Sequence, residues 1–250
     1  VKHLYVQPFV GEFGWEVCRW QCLVRSVASR YDTTTVCCED GHEWLYWDFA
    51  EEIETINVRP RKRNMYTSEL GLLEYYGSGN RLMPSKELCL CKQDVVWYRY
   101  RSHDPIASNT ILIHNRTTKN YSTEERNWPN HKWDALAYAL KDFRIITVGS
   151  LGGAGRVRGC EDMRGVGLDR LSVLCSEAKC IVGPSSGPMH YASMCECPQV
   201  VWSENKTEVI GCTNEVRYKT AWNPFGTPVE YLPTWQPEVV DVVTAVRRFL

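Results

Sequence analysis

At 250 residues the chain has room for one large domain or two small α/β halves. Its 44% hydrophobic and 24% charged content argues for a packed core rather than disorder, and a formal net charge of -1 argues against a global field for duplex nucleic acid. No run approaches the roughly 20 apolar residues of a membrane span, and the start, VKHLYVQPF, has no charged-then-apolar leader, so a cytoplasmic protein without a transmembrane segment is expected.

In chain order, HLYVQPF predicts a strand and VGEFG a loop. Val17, Trp20, Val24 and Val27 then recur at helical spacing, with Arg19, Arg25 and Arg30 on other faces. TTTVCC predicts a β-branched strand, EWLYWDFAEEI a helix and TINV a further strand, followed by the basic loop Arg59–Arg63. SELGLLEYYG, capped by Ser68 and closed by Gly77, predicts a short helix. Residues 78–92 read as irregular and DVVWYRYR as a strand. The polar, Pro105-containing segment SHDPIASN marks a boundary, giving expected domains 1–105 and 106–250.

The second half is more regular. TILIHNR, FRIITVGS, CIVG and QVVWS predict strands. HKWDALAYALKD, LDRLSVLCSEAK, PMHYASMC and PEVVDVVTAVRRFL predict helices, with Trp133, Leu136 and Leu140, then Leu168, Leu171, Cys175 and Ala178, then Val239, Val242, Val243, Val246 and Leu250, as buried stripes. Strands alternating with helices predict two Rossmann-like parallel-sheet halves, with the ligand cleft between them. The 12 cysteines are scattered through apolar segments, and the close pairs Cys89/Cys91 and Cys195/Cys197 are C-x-C rather than the C-x-x-C of zinc sites, so free buried thiols are expected. The N-x-S/T triplets at Asn115, Asn120 and Asn205 read as chance.

Four segments carry candidate chemistry. In GPSSGPMHYASM, residues 183–194, a buried strand runs into a helix through Ser185, Ser186 and Gly187, with Pro188 at the expected first helical position. Amides at such a helix start, with the helix dipole, favour a phosphate. The same residues would also serve a plain strand-to-helix turn with Ser186 as N-cap. S-G-P-M-H before a small-residue helix and P-x-V-V closely resembles the donor-site motif of the heptosyltransferases, GT-B enzymes that transfer heptose from a nucleotide donor to lipopolysaccharide. The resemblance, strongest over residues 110–202, implies that Ser185, Ser186, Gly187, Pro188, Met189 and His190 contact the donor diphosphate or sugar. The family commonly has an acid where Ser185 stands, so a different donor sugar is implied.

The second segment, residues 114–136, holds Arg126-Asn127-Trp128-Pro129 and Trp133, matching the later part of the family's R-x-x-K-x-W-P-x-x-x-W. Arg126 takes the place of a phosphate-binding lysine, and Arg116 and Lys119 are further cationic candidates. Trp128 and Trp133 read as a packing pair. The third segment is PFVGEFGWE, where Gly11 and Gly14 flank Glu12. A carboxylate there could take the proton of an attacking hydroxyl. The family keeps an acidic base in this loop, which makes Glu12 the first choice and Glu16 the second; Glu16 could equally be a first-turn residue favoured by the dipole. The fourth is the glycine-rich loop with Arg156, Arg158 and Glu161-Asp162, beside which Thr147, Gly149 and Ser150 are weak nucleotide-side candidates.

No P-loop, H-E-x-x-H, G-x-S-x-G or D-x-D occurs, which fits an enzyme without a metal or other cofactor. The resemblance implies an inverting glycosyltransferase with a nucleotide-sugar donor, a glycan or other hydroxyl acceptor, and an N-terminal half shorter than usual. A modified nucleic-acid base is a less favoured acceptor; a nucleotide-sugar epimerase and a non-catalytic nucleotide-sugar or glycan-binding protein are the rival readings.

Overall fold

The computed structural model describes residues 1–9, 11–57, 80–82, 95–101, 108–118, 124–206 and 212–250. The basic run at 59–63, the helix expected at 68–77, Lys119 and the boundary expected at 105/106 lie outside them. The chain divides into two compact units, Val1–Tyr98 and Arg99–Leu250.

The first unit is built on β1 (His3–Val6), β2 (Thr33–Glu39), β3 (Glu52–Ile56) and β4 (Asn80–Leu82), in the order β3-β2-β1-β4 with every neighbour parallel. Leu4, Tyr5 and Val6 and their neighbours Val36, Cys37 and Cys38 are all buried, the near-continuous apolar pattern of parallel strands covered on both faces. After β1, α1 (Phe13–Trp15) passes through a π-helical turn, Glu16–Trp20, into α2 (Gln21–Ala28). Val17, Trp20 and Val24 are buried as the spacing predicts.

Several expectations are corrected here. The helix begins at Phe13, so Gly14 lies inside its first turn and not in the loop. Its start is set by the Glu12 carbonyl, which accepts from the amides of Trp15 and Glu16, and not by the apolar stripe. Arg25 is buried: it ion-pairs with Asp48, donates to the Leu45 carbonyl at 2.7 Å, and lies between the rings of Phe49 and Tyr98 at 4.7 and 4.6 Å. Residues 43–53 form only a short 3-10 turn, Glu43–Leu45, because Glu52 and Ile53 are taken into the ladder opposite Thr35 and Val36. β4 falls within the stretch read as irregular. Residues 95–100 form no strand; the Val96 amide donates to the Cys22 carbonyl at 3.2 Å instead.

The second unit has β5 (Thr110–Ile113), β6 (Arg144–Thr147), β7 (Glu161–Asp162), β8 (Cys180–Pro184), β9 (Gln199–Trp202) and β10 (Val229–Leu232). Their order is β10-β9-β8-β5-β6-β7, again all parallel. The helices are α3 (Asn130–Ala139), α4 (Leu168–Glu177), α5 (Gly187–Met194), α6 (Asn214–Lys219) and α7 (Val239–Arg247). One face of the sheet, with α3 and α7, encloses Trp128, Trp133 and Trp202, whose rings lie 4.9 to 5.6 Å apart, together with Val242, Val243 and Val246. Leu250, expected in that stripe, is exposed, because the helix ends at Arg247. The chain runs β5-β6-β7 to one side, then returns to place β8 on the other side of β5. That reversal opens a crevice at the carboxyl ends of β5 and β8, where open parallel sheets take their ligands.

Candidate functional site

Both segments that enter this crevice carry candidate residues. From β8, Gly183 approaches β5 so closely that a Cβ would stand 3.1 Å from the His114 carbonyl and 3.3 Å from Met189 Sδ. The Ser185 amide is then anchored on the Trp202 carbonyl at 2.8 Å. Ser186 is the N-cap in extended conformation, but its hydroxyl donates back to the Pro184 carbonyl at 2.9 Å and accepts no cap hydrogen bond from the helix amides. Pro188 is the second residue of α5, one place later than expected, because Gly187 already has helical geometry. Met189 and His190 both direct their amides to the Ser186 carbonyl. Pro188 has none to offer, so among the first three residues of the helix only the Gly187 amide lies outside this pattern.

Arg126 comes to this loop from the segment after β5. Its guanidinium donates to the Ser185 carbonyl at 2.7 Å and lies 4.7 Å over the Trp235 ring. Its Nε is buried with no hydrogen-bond partner. Tyr218 of α6 donates to Ser185 Oγ at 2.9 Å and stacks on His190 at 5.2 Å, with Trp222 edge-on to His190 at 4.6 Å. Burial, and then the charge of Arg126, hold the His190 imidazole down to about 3. The ring is therefore neutral near pH 7, and its Nδ1 is buried without a partner. Asn115, just past β5, likewise has Oδ1 buried and unpaired.

The other cations and nucleotide-side residues are differently employed. Arg116 is buried and braces its own loop, donating to the Thr118 carbonyl and to Asn127 Oδ1. Thr147 is fully buried. Gly149 has φ +123°, and a Cβ there would stand 2.7 Å from the His114 ring, so the turn after β6 needs glycine on packing grounds alone. The Ser150 carbonyl closes the following turn by accepting from Gly153 and Ala154. The acidic pair forms β7, where Glu161 pairs with Arg144 and Asp162 with Arg164 and Arg156. The ten described cysteines are free thiols, and no group of three His, Cys, Asp or Glu side chains among the described residues is arranged to hold a metal ion.

In the first unit, Gly11 is buried and Glu12 is the half-buried residue before α1, its side chain making no cap hydrogen bond. Glu16 is 1% exposed, and both its oxygens are engaged: Oε2 with His42 Nδ1 at 2.7 Å and Oε1 with the Tyr46 hydroxyl at 2.8 Å. Phe13 packs against the His42 ring at 5.0 Å. These residues follow the carboxyl ends of β1 and β2, and β1 is where this sheet reverses its strand order.

No family model and no curated protein matches the sequence. Solved structures of similar fold include the glycosyl transferase family 9 protein from Veillonella parvula, 10% identical, spanning 99% of this chain and 97% of that one with a TM-score of 0.63. E. coli ADP-heptose lps heptosyltransferase II is 15% identical over 100% and 98% of the two chains, TM-score 0.64. E. coli heptosyltransferase WaaC with ADP is 12% identical over 100% and 98%, TM-score 0.59. The chain has the GT-B fold.

Within that GT-B fold, the GPSSGP loop can present an amide, a helix dipole and a fixed guanidinium to an anion. Sequence reasoning missed Tyr218, Trp222 and Trp235, which lie in residues 203–236 between recognisable elements. The spacing of Tyr218 and Trp222, one helical turn apart, was the available signal. It also missed Tyr46, hidden in the segment 43–53 read as helix, and His42 just before that segment. No described helix is long and apolar enough to cross a membrane.

Proposed function

We propose that this chain is a glycosyltransferase that moves a sugar from a nucleotide-diphosphate donor to a hydroxyl acceptor, with inversion at the anomeric carbon. The observation that carries the reading is Arg126, fixed against the Ser185 carbonyl at the carboxyl ends of β5 and β8 with Nε still unpaired. A bound diphosphate would take that donor, the Gly187 amide and the dipole of α5, and the same groups would stabilise it as it leaves. Ser185 and Ser186 would add hydroxyls, and the neutral His190 would serve as a wall and hydrogen-bonding group rather than a cation. Pro188 and Met189 set the helix start and its packing. No metal is required in this scheme, because protein cations and the helix terminus meet the developing charge.

The solved WaaC structure of similar fold contains ADP, and a second neighbour is an ADP-heptose enzyme, which makes ADP-sugars the first donors to test. The acceptor is proposed to be a sugar hydroxyl of a glycoconjugate. Thermal-shift screening with ADP-, GDP-, UDP- and dTDP-sugars tests the reading. At least one is expected to raise the melting temperature by several degrees; no shift with any of them contradicts it.

A further inference from the structure

We infer that Trp235 is a positioning residue for Arg126, its ring holding the guanidinium in an orientation that leaves Nε to a bound diphosphate. The inference rests on the nucleotide-sugar reading and concerns residues of the second unit alone. It begins in the sequence P-T-W-Q-P, residues 233–237, which follows β10. Pro233 and Pro237 fix φ on either side of the tryptophan, so the segment has less freedom to lose on folding. The Thr234 amide donates to the Leu232 carbonyl at 2.9 Å and the Gln236 amide to Thr234 Oγ1 at 3.2 Å, which closes the segment on itself.

The same segment is fastened to the stretch that carries Arg126. Gln236 Nε2 donates to the Glu125 carbonyl at 2.5 Å and to the Asn127 carbonyl at 3.3 Å, one residue to either side of Arg126. Trp128 Nε1 and Lys132 Nζ donate to the Pro237 carbonyl at 3.0 and 3.1 Å, and Lys132 also pairs with Glu238 at 2.9 Å. These bonds hold the backbone of Arg126 against that of Trp235. The side chains then meet, with the guanidinium carbon 4.7 Å from the Trp235 ring centroid. Trp128, Trp133 and Trp202 fill the core between sheet and helices, whereas Trp235 is half-buried and stands outside that cluster.

A planar cation over an indole uses its face for the contact and keeps its edge N–H groups. One edge donates to the Ser185 carbonyl at 2.7 Å. Nε is buried with no partner. Held by a face and by one edge, the group retains a donor that neither contact uses. A carboxylate partner would fix the guanidinium equally well but would neutralise it and occupy its donors. With Trp235 in place, the rotamer freedom of a long side chain is lost at folding and not at binding.

The test is calorimetric titration of the full chain with ADP, GDP, UDP and dTDP, the tightest of them being carried through the variants. W235L is expected to weaken that nucleotide by about fivefold or more, and W235F, which keeps an aromatic face, to stay within about twofold of the parent. In an R126A background the same W235L change should alter affinity by less than about twofold, because the group it positions is gone. A Trp235 that only packs, or that stacks on the nucleotide itself, would weaken binding equally in both backgrounds, and that result overturns the proposal. W235L with unchanged affinity overturns it too. Should W235L not fold, the nuclear Overhauser contact between the Arg126 Nε proton, assigned by its loss in R126A, and the Trp235 ring protons decides: its presence in the nucleotide-free parent supports the proposal and its absence overturns it. If the parent binds none of the four diphosphates, the nucleotide-sugar reading fails and takes this proposal with it; if the parent binds and W235L binds as well, the positioning role alone fails.

Discussion

The two crevice ends of this molecule are finished to different degrees. In the first unit, the Glu16 carboxylate has a partner on each oxygen before any ligand arrives. In the second, Asn115 Oδ1, Arg126 Nε and His190 Nδ1 are buried with no partner; Asn115 and His190 follow β5 and β8, and Arg126 is held on the Ser185 carbonyl just past β8. An unsatisfied buried polar group costs about 1–3 kcal/mol. A completed network orients a side chain for a task; an incomplete one keeps hydrogen-bonding capacity for something that binds. The first arrangement holds a side chain in place and the second suits an anion with several oxygens; the contrast is between these two clusters, since Arg19 Nε and Trp44 Nε1 of the first unit are also buried without a partner.

Breaking the completed network should have the largest effect. E16A removes an acceptor from the His42 ring and from the buried Tyr46 hydroxyl and is expected to destabilise the first unit by roughly 1–3 kcal/mol in urea denaturation. A change below about 0.5 kcal/mol would mean that the network contributes orientation without stability. The second unit has its own acid sensitivity. Burial, opposed by the hydrogen bond to the Val148 carbonyl and aided by the charge of Arg116, holds His114 down to about 4. Because that value lies below the unfolded one of about 6.5, the unfolded chain binds more protons between these pH values, and stability is lost as pH falls through the window. H114Q should flatten the difference by on the order of 2–3 kcal/mol between pH 6.5 and 4, read as the pH dependence of the denaturation midpoint. An unchanged slope would place the sensitivity elsewhere.

Smaller effects sharpen the contrast. Y218F removes the hydrogen bond to Ser185 Oγ and should cost about 1 kcal/mol of stability, with a modest loss of nucleotide affinity by calorimetry. An equal loss in a variant far from the loop would remove Tyr218 from the site. Smallest of all, chelation with EDTA should change nucleotide binding less than about twofold, since the proposed diphosphate contacts are a guanidinium, an amide and a helix terminus. A large loss would bring a metal into the scheme.

Much of this was legible in the sequence, and the failures have physical causes. The strands β5, β6, β8 and β9 could be read because a parallel sheet covered on both faces demands runs such as TILI and QVVW. The GPSSGP turn could be read because small residues between a buried strand and a helix have few other uses. The segment 43–53 was misread because Glu, Leu and Ala favour helix, while pairing of Glu52–Ile56 with β2 overrides that preference. Arg25 was expected away from the core, yet Asp48 and two aromatic faces, contributed by segments 23 to 73 residues later, compensate its charge. Tyr218 and Trp235 meet the loop only because strand order brings the segments after β9 and β10 to the same end of the sheet. His42 gave no local signal; its meaning comes from a carboxylate 26 residues earlier.

The most direct measurement is calorimetric titration of the parent and R126A with ADP and with the sugar nucleotide that stabilises the parent best. The account predicts saturable 1:1 binding to the parent and a loss of about tenfold or more in R126A, matching the roughly 1.5–3 kcal/mol of a hydrogen bond to a charged group. Equal affinity in the two proteins, or no binding by the parent, would contradict it.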